Sequence, residues 1–286
     1  MISYYETEAE LPPSSSTLAL LSGHQLLRRL RPSELRASHI QDIDGRLFQS
    51  GLARSTKASR AGALRRVLRW LWENHNAPKL DGQIRRYTGV RPRNNTATRE
   101  EINRILSAAP PHLKLYTLLC SDLAIRSGTA ALLSPQNYNR QSRSLHFISK
   151  GGATLTLPVT EDVRRMTESC DLDSSQPFVA QLWTGPGTGC KPGPDTKWGH
   201  IMRRAFTRLR KRLNFNRRII PHDLRRTAAV AMLEATGDLR DVQAFLGHLS
   251  LHSTVIYLDH DLRPVKRHTL ELIKRPRVEE SEEQFA

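Results

Sequence analysis

The stretch "PHDLRRTAAVAMLEATG", residues 221–237, opens on a proline, closes on a glycine and runs through alanine, valine, methionine and leucine between them. Proline suits the first helical position because the N–H it lacks would have no partner there, and glycine suits the left-handed residue that ends a helix. The spacing predicts a helix from Pro221 to about Ala235 with Gly237 as its stop. His222 and Arg225 stand three apart, so both side chains project from one face near the helix start. An anion is favoured at that end by the helix dipole, and both residues can donate to it. Taken alone, the stretch also fits a basic surface helix.

A few residues on, "LGHLSLHSTVIYLDH" (246–260) brackets Tyr257 with His248, His252 and His260. Three readings compete: an amphipathic helix with a core tyrosine, a metal site on the histidines, and a nucleophile with its helpers. His248 and His252 are four apart, a spacing that suits zinc on a helix, with His260 as a third ligand. Against metal, His248 follows Gly247 and so precedes the next helix, and neither an HExxH pattern nor a cysteine ligand joins it. No metal and no cofactor is expected.

The whole chain narrows the choice. It has 286 residues, enough for one large or two ordinary domains, and 44 Lys and Arg against 28 Asp and Glu give a formal charge of +16. Such a surplus opposes compaction by self-repulsion and points to a polyanionic partner. No run of about 18 apolar residues and no signal-peptide pattern is found, which predicts no membrane association. Cys120, Cys170 and Cys190 are few, odd in number and far apart, unlike a disulfide framework or a CxxC zinc site. A cytoplasmic, nucleoid-associated protein that meets nucleic acid is the expectation.

Upstream, residues 1–16 are acidic and Ser/Pro-containing and read as a flexible leader. Residues 17–76 read as helices: Leu64, Val67, Leu68 and Leu71 recur at helical spacing beside Arg65, Arg66 and Arg69. Segment 24–96 holds 16 Lys and Arg against 5 Asp and Glu, which favours phosphate contact over a merely solvated face. Residues 77–97 mix Pro, Gly, Asn and Arg without periodicity and read as a linker. Thr98, followed by Glu101, is a capping box that opens a second domain. "LKLYTLLCSDLAI" continues it as an apolar helix, and "SLHFISKGGATLTLPV" gives two alternating stretches around Gly151-Gly152, a hairpin. The Gly/Pro-rich loop 184–195 lacks the Ser/Thr of a Walker motif after Lys191. Helix 197–213 follows, and the acidic end, 276–286, reads as disordered.

"HDLRRT", the Leu-Gly-His ending at His248, and Tyr257 nine positions later resemble the C-terminal motifs of the tyrosine recombinase (phage integrase) family. That family's first arginine falls on Arg126 in "LAIRSGTAALLSP" and its hairpin lysine on Lys150 in "ISKGGATLTLPV". The order and rough spacing of all six positions, Arg126, Lys150, His222, Arg225, His248 and Tyr257, agree with the pattern over about residues 97–275. One position departs: many members carry an acidic residue three places after the first arginine, where this chain has Thr129, with Asp122 as a nearby substitute.

The resemblance implies a mainly α fold, with an all-α core-binding domain over 17–90 that clamps DNA and a mostly helical catalytic domain over 97–275 with a small antiparallel sheet at about 144–158. It implies a site-specific recombinase or integrase that cuts and rejoins double-stranded DNA at paired sites through a 3′-phosphotyrosyl intermediate. It also implies a homotetramer on DNA, with a C-terminal helix (about 264–274) docking on a neighbour. A type IB topoisomerase-like enzyme and a DNA-binding protein that has lost catalysis are the alternatives. The chain's start, with no arm-binding domain before residue 17, favours a simple two-domain recombinase. The chemistry fits the residue types. A trigonal-bipyramidal phosphate needs fixed donors, and arginine forks with two histidines supply them. A phenol with pKa ~10 needs roughly 4 kcal/mol of help to ionise near neutral pH, and an ordinary lysine stays protonated and can donate to the departing 5′ oxygen.

Overall fold

The computed structural model describes residues 30–89, 95–149, 152–184 and 197–258, with the backbone alone for His252 and for 256–258. The leader 1–16, Lys150, most of the Gly/Pro loop, His260, the expected helix at 264–274 and the acidic tail lie outside the described residues, as does the side chain of Tyr257. The chain divides into two compact units, Met1–Arg93 and Asn94–Ala286.

In the first unit, helices α1 (Ala37–Gln49) and α2 (Arg54–Asn74) follow a 3-10 turn at Pro32–Glu34. The aliphatic stripe Leu64, Val67, Leu68 and Leu71 of α2 is buried in one core with Ile40, Ile43 and Leu47 of α1. Each such side chain contributes about 1.5–3 kcal/mol, an upper bound for a compact unfolded reference. The segment expected to be a linker from residue 77 instead begins as part of this core. Ala77, Leu80 and Ile84 are buried in it, and Arg85 pairs with the buried Asp44 at 3.1 Å. Three apolar residues without helical period, pinned by ion pairs, form a strap that composition disguises as linker.

The second unit is built around α4 (Pro111–Ser121), which follows α3 (Arg99–Ala108). The expected capping box is present: the Thr98 hydroxyl accepts from the Glu101 N–H at 3.2 Å, and the Glu101 carboxylate accepts from the Thr98 N–H at 2.8 Å. Helix α4 is apolar around most of its circumference and is correspondingly enclosed, with Leu115, Tyr116, Leu119 and Cys120 fully buried. After the short α5 (Ser127–Ala130) come strands β1 (Tyr138–Asn139), β2 (Ser144–Ile148) and β3 (Thr154–Pro158), an antiparallel sheet in that order. The β2–β3 register runs from Ser144↔Pro158 to Ile148↔Thr154, placing Leu145, Phe147 and Leu157 in the core. Helices α6 (Glu161–Glu168), α7 (Phe178–Gln181) and α8 (Trp198–Arg212) follow. Helix α8 buries Trp198, Met202, Ala205, Phe206 and Leu209, and leaves arginines outside.

The stretch at 221–237 forms α9 (Pro221–Thr236), followed by α10 (Leu239–Leu246) and α11 (Leu251–Leu258). Gly237 and Gly247 end α9 and α10 in the left-handed region, at φ 69° and 59°. The two glycines differ in surroundings: a Cβ on Gly237 meets open space, whereas one on Gly247 lies 2.6 Å from the Leu155 Cδ1 of β3. Both Gly→Ala variants should lose about 1–2 kcal/mol to the left-handed backbone. Gly247→Ala should lose a further increment, on the order of 1–3 kcal/mol, because Leu155 must move. Thermal melts of the two variants test this, and equal losses would contradict the close approach of the sheet to the Gly247 turn.

Candidate active site

The site forms where the end of α4, the start of α9 and the end of α10 converge. Beyond α4 the chain reverses through Ala124, held at φ 49°, and the Ile125 N–H donates back to the Leu119 carbonyl at 2.9 Å. A non-glycine residue there costs about 1 kcal/mol, and the reversal delivers Arg126 to the N-terminus of α5. Arg225 of α9 secures the same turn from the other side. Only 3 % exposed, it donates from Nη1 to the Ala124 carbonyl and from Nη2 to the Leu246 carbonyl at 2.9 Å. Its Nη2 also lies 3.4 Å from His248 Nε2. Sequence alone suggests that Arg225 holds an open fork toward a phosphate. The fold instead commits much of that fork to backbone carbonyls, so Arg225 is also the bolt joining three elements.

His248 stands in the turn before α11, anchored through its backbone: its N–H donates to the Gln243 carbonyl and its carbonyl accepts from Gln243 Nε2. Its Nδ1 lies 3.1 Å from the Thr254 hydroxyl. Burial, then the Arg225 and Arg126 charges, push its pKa down to about 4. His222 is lowered as well, first by the protein crowding it and then by Arg225, although solvent reaches part of its ring. Both rings are therefore neutral near pH 7. An unfolded histidine titrates near ~6.5, so between about 6.5 and 4 the unfolded chain binds more protons and stability rises with pH. A ring-proton titration should place the His248 midpoint far below 6, and His248→Gln should flatten the stability slope in that window. A midpoint near the free-histidine value would contradict the enclosure.

Arg126, Thr129 and His222 line one open cleft of about 730 Å³ with Ser149, the last described residue of β2's exit. Arg126, His222, Arg225 and His248 are therefore brought together. Lys150 follows Ser149 directly in the chain, and the backbone at Tyr257 lies on α11, the helix that Thr254 ties to His248. Asp122 does not take the orienting role suggested by its place one turn before Arg126. Its carboxylate accepts from the Ser121 hydroxyl at 2.7 Å and the Thr160 hydroxyl at 3.3 Å. Two features escaped the sequence reading: Ser149, whose hydroxyl donates to the Gly247 carbonyl at 3.4 Å, and the fully buried Thr254. Thr254 stands three residues before Tyr257, so its position on the nucleophile's helix was the available signal.

The first unit has its own cationic feature. A cleft of about 740 Å³ is lined by Arg65, Arg66 and Arg69 of α2 and by Arg85 and Arg86 of the strap, with Asp44 and Asp81 beneath. No described helix is long and apolar enough to cross a membrane.

Two arginines, Arg126 and Arg225, beside two histidines of lowered proton affinity on a mostly helical unit with a small antiparallel sheet form a cationic site suited to an anionic group. The chain belongs to the phage integrase family, the tyrosine recombinases, whose family model matches residues 95–263. It is 28% identical over 264 residues to the tyrosine recombinase XerC of Rhizobium meliloti, covering 85% of this chain and 79% of that one. To the tyrosine recombinase XerA of Thermococcus onnurineus it is 27% identical over 267 residues, covering 90% and 89%. Its fold is similar to that of a lambda integrase dimer bound to a COC′ core site, at TM-score 0.65 and 16% identity over 90% of this chain and 93% of that one. It is similar also to the Tn1549 transposon integrase in complex with a circular intermediate DNA, at TM-score 0.63 and 14% identity over 95% and 98%. As a member of this family, the protein is a site-specific recombinase.

Proposed function

We propose that the protein recombines double-stranded DNA at paired sites as a tetramer, with Tyr257 as nucleophile and Arg126, Lys150, His222, Arg225 and His248 as its catalytic groups. The phenolic oxygen of Tyr257 attacks the scissile phosphorus and its proton passes to a neighbouring base. The bond from phosphorus to the 5′ oxygen breaks, and Lys150 protonates that oxygen as it leaves. The 3′-phosphotyrosyl link keeps the bond energy, so the freed 5′ hydroxyl of a partner strand reverses the step without ATP. Arg126 and Arg225 stabilise charge on the nonbridging oxygens, and His222 adds a neutral donor. The arginine cleft of the first unit grips phosphates of the duplex and supplies a salt-sensitive share of the affinity. The reaction belongs in the cytoplasm, at the nucleoid.

One observation carries this reading: Arg126, the His222–Arg225 pair and His248, from three distant parts of the chain, lie close enough that their charges act on one another, and the helix bearing Tyr257 begins three residues after the last of them. It supports strand exchange over DNA binding alone, because a binding module needs no neutral histidine beside two arginines. The test offers the protein a pool of nicked suicide duplexes with randomised cores, collects DNA that stays attached in detergent, and sequences it. Paired duplexes bearing the enriched site are then scored for exchanged strands. An adduct with exchange is expected; attachment without exchange would indicate a topoisomerase, and no attachment would leave a DNA-binding protein.

A further inference from the structure

We propose that Arg85 is a specificity-determining residue: its guanidinium, held by Asp44 and Phe48, reads the O6 and N7 edge of a guanine in the recombination site, while Arg65 and Arg66 of the same cleft hold phosphates. The inference deepens the DNA-gripping reading of the first unit's cleft and rests on it.

Arg85 follows Ile84, whose burial in the first core fixes the strap at that point. The Arg85 N–H donates to Asp44 Oδ1 at 3.1 Å, and its Nε pairs with Oδ2 of the same carboxylate at 3.1 Å. Asp44 lies on α1 and is only 5% exposed, so one buried acid grips main chain and side chain together. The guanidinium also lies over the Phe48 ring, with Cζ 4.0 Å from the ring centroid. That ring is itself placed, because Lys57 Nζ donates to the Phe48 carbonyl at 2.6 Å and lies 5.8 Å from the centroid. Backbone, Nε and one face of Arg85 are thus held, while its side chain stays 48% exposed on the wall of the cleft.

Such holding suits a directional task better than a purely electrostatic one. A phosphate contact asks chiefly for charge, which a mobile side chain on a helix delivers. A carboxylate beside the guanidinium offsets that charge for any approaching anion, so Asp44 works against phosphate binding by Arg85. A guanine edge is neutral and offers two acceptors side by side. It rewards two parallel N–H donors in a fixed plane, and a side chain already held loses less freedom on meeting it. The cleft's other acid, Asp81, pairs with Arg69 through Nη2 at 3.1 Å, which spends a terminal nitrogen rather than Nε. Among the described residues neither Arg65 nor Arg66 has an ion pair, so both keep their full charge for the DNA backbone.

The experiment uses the full chain and a pool of duplexes randomised across a half-site, selected by binding rather than cleavage and then sequenced. The parent should enrich a guanine at a fixed position that Arg85→Ala no longer enriches. On the parent's best site Arg85→Ala should lose on the order of ten- to a hundredfold in affinity, and less than about threefold once that base pair is changed. Replacing the guanine by 7-deazaguanine, which has C–H in place of N7, should weaken the parent and leave Arg85→Ala unmoved. Arg66→Ala should weaken all sites alike and lower the salt slope by about one. Phe48→Leu, at an exposed position, should reduce discrimination at that base at least about threefold with melting unchanged. Asp44→Asn should reduce it too, yet bind the altered site no more weakly than the parent, because a negative charge has gone. A loss spread evenly over all sequences would make Arg85 a phosphate contact and overturn the proposal. So would a guanine preference that survives Arg85→Ala, or undiminished discrimination in both Phe48→Leu and Asp44→Asn. A parent that enriches no sequence overturns the recombinase reading and the proposal with it.

Discussion

Tyr257→Phe is expected to abolish the covalent protein–DNA adduct and leave DNA affinity within about threefold. Only the phenolic oxygen is removed, and phosphate contacts elsewhere dominate affinity. The chain's other described tyrosines serve as controls because their environments push the wrong way. Burial raises the pKa of Tyr116 in the second unit's core. Tyr87 is raised by burial and Asp44, and Tyr138 by burial and by its bond to Glu168. A nucleophile at neutral pH needs its phenolate stabilised, and these three environments penalise it. Tyr116→Phe and Tyr138→Phe should therefore keep the adduct. Its persistence in Tyr257→Phe would sink the nucleophile assignment.

Arg225→Ala should lower both cleavage rate and stability, because it removes two things at once. As a donor to developing phosphate charge, it should be worth roughly 10²–10³ in cleavage rate. As a structural bolt, its loss leaves the Ala124 and Leu246 carbonyls without their donor, at about 1–3 kcal/mol for each group left buried and unpaired. Arg225→Lys separates the two effects. A lysine keeps the charge but lacks the planar fork that spans both carbonyls, so melting temperature should recover partly and cleavage should not. Both rates are measured below the melting transition of the weaker variant. An alanine variant with parental melting and parental adduct formation would remove Arg225 from both roles.

The extent to which the sequence was legible follows the range of the interactions. The helices α2, α3, α8 and α9 were readable because periodicity, a Thr98–Glu101 cap and the Pro221 and Gly237 boundaries act over a few residues. The hairpin was readable from alternation about a Gly-Gly pair. At the site, residue types and their spacing marked Arg126, His222, Arg225 and His248, and the structure gathers these four. Lys150 and the Tyr257 side chain stay with the sequence reading. The strap at 77–84 was misread because burial there depends on partners in α1 and α2, and no local period marks it.

By itself, then, the sequence determined the helical class, the small sheet, the polyanionic partner implied by a +16 charge, and which residues are the candidates for the chemistry. Those are properties of short segments and of totals, and they survive without knowledge of neighbours. Tertiary structure alone decided how those residues are used: that Arg225 turns its terminal nitrogens inward to carbonyls 101 and 21 residues away, and that Asp122 is spent on Ser121 and Thr160. It alone decided that Gly247 must be small because Leu155 lies against it, and that the buried Thr254 hydroxyl meets His248 Nδ1. A hydrogen bond is fixed by distance and direction between groups, and for residues far apart in the chain those are set only when the core between them has packed.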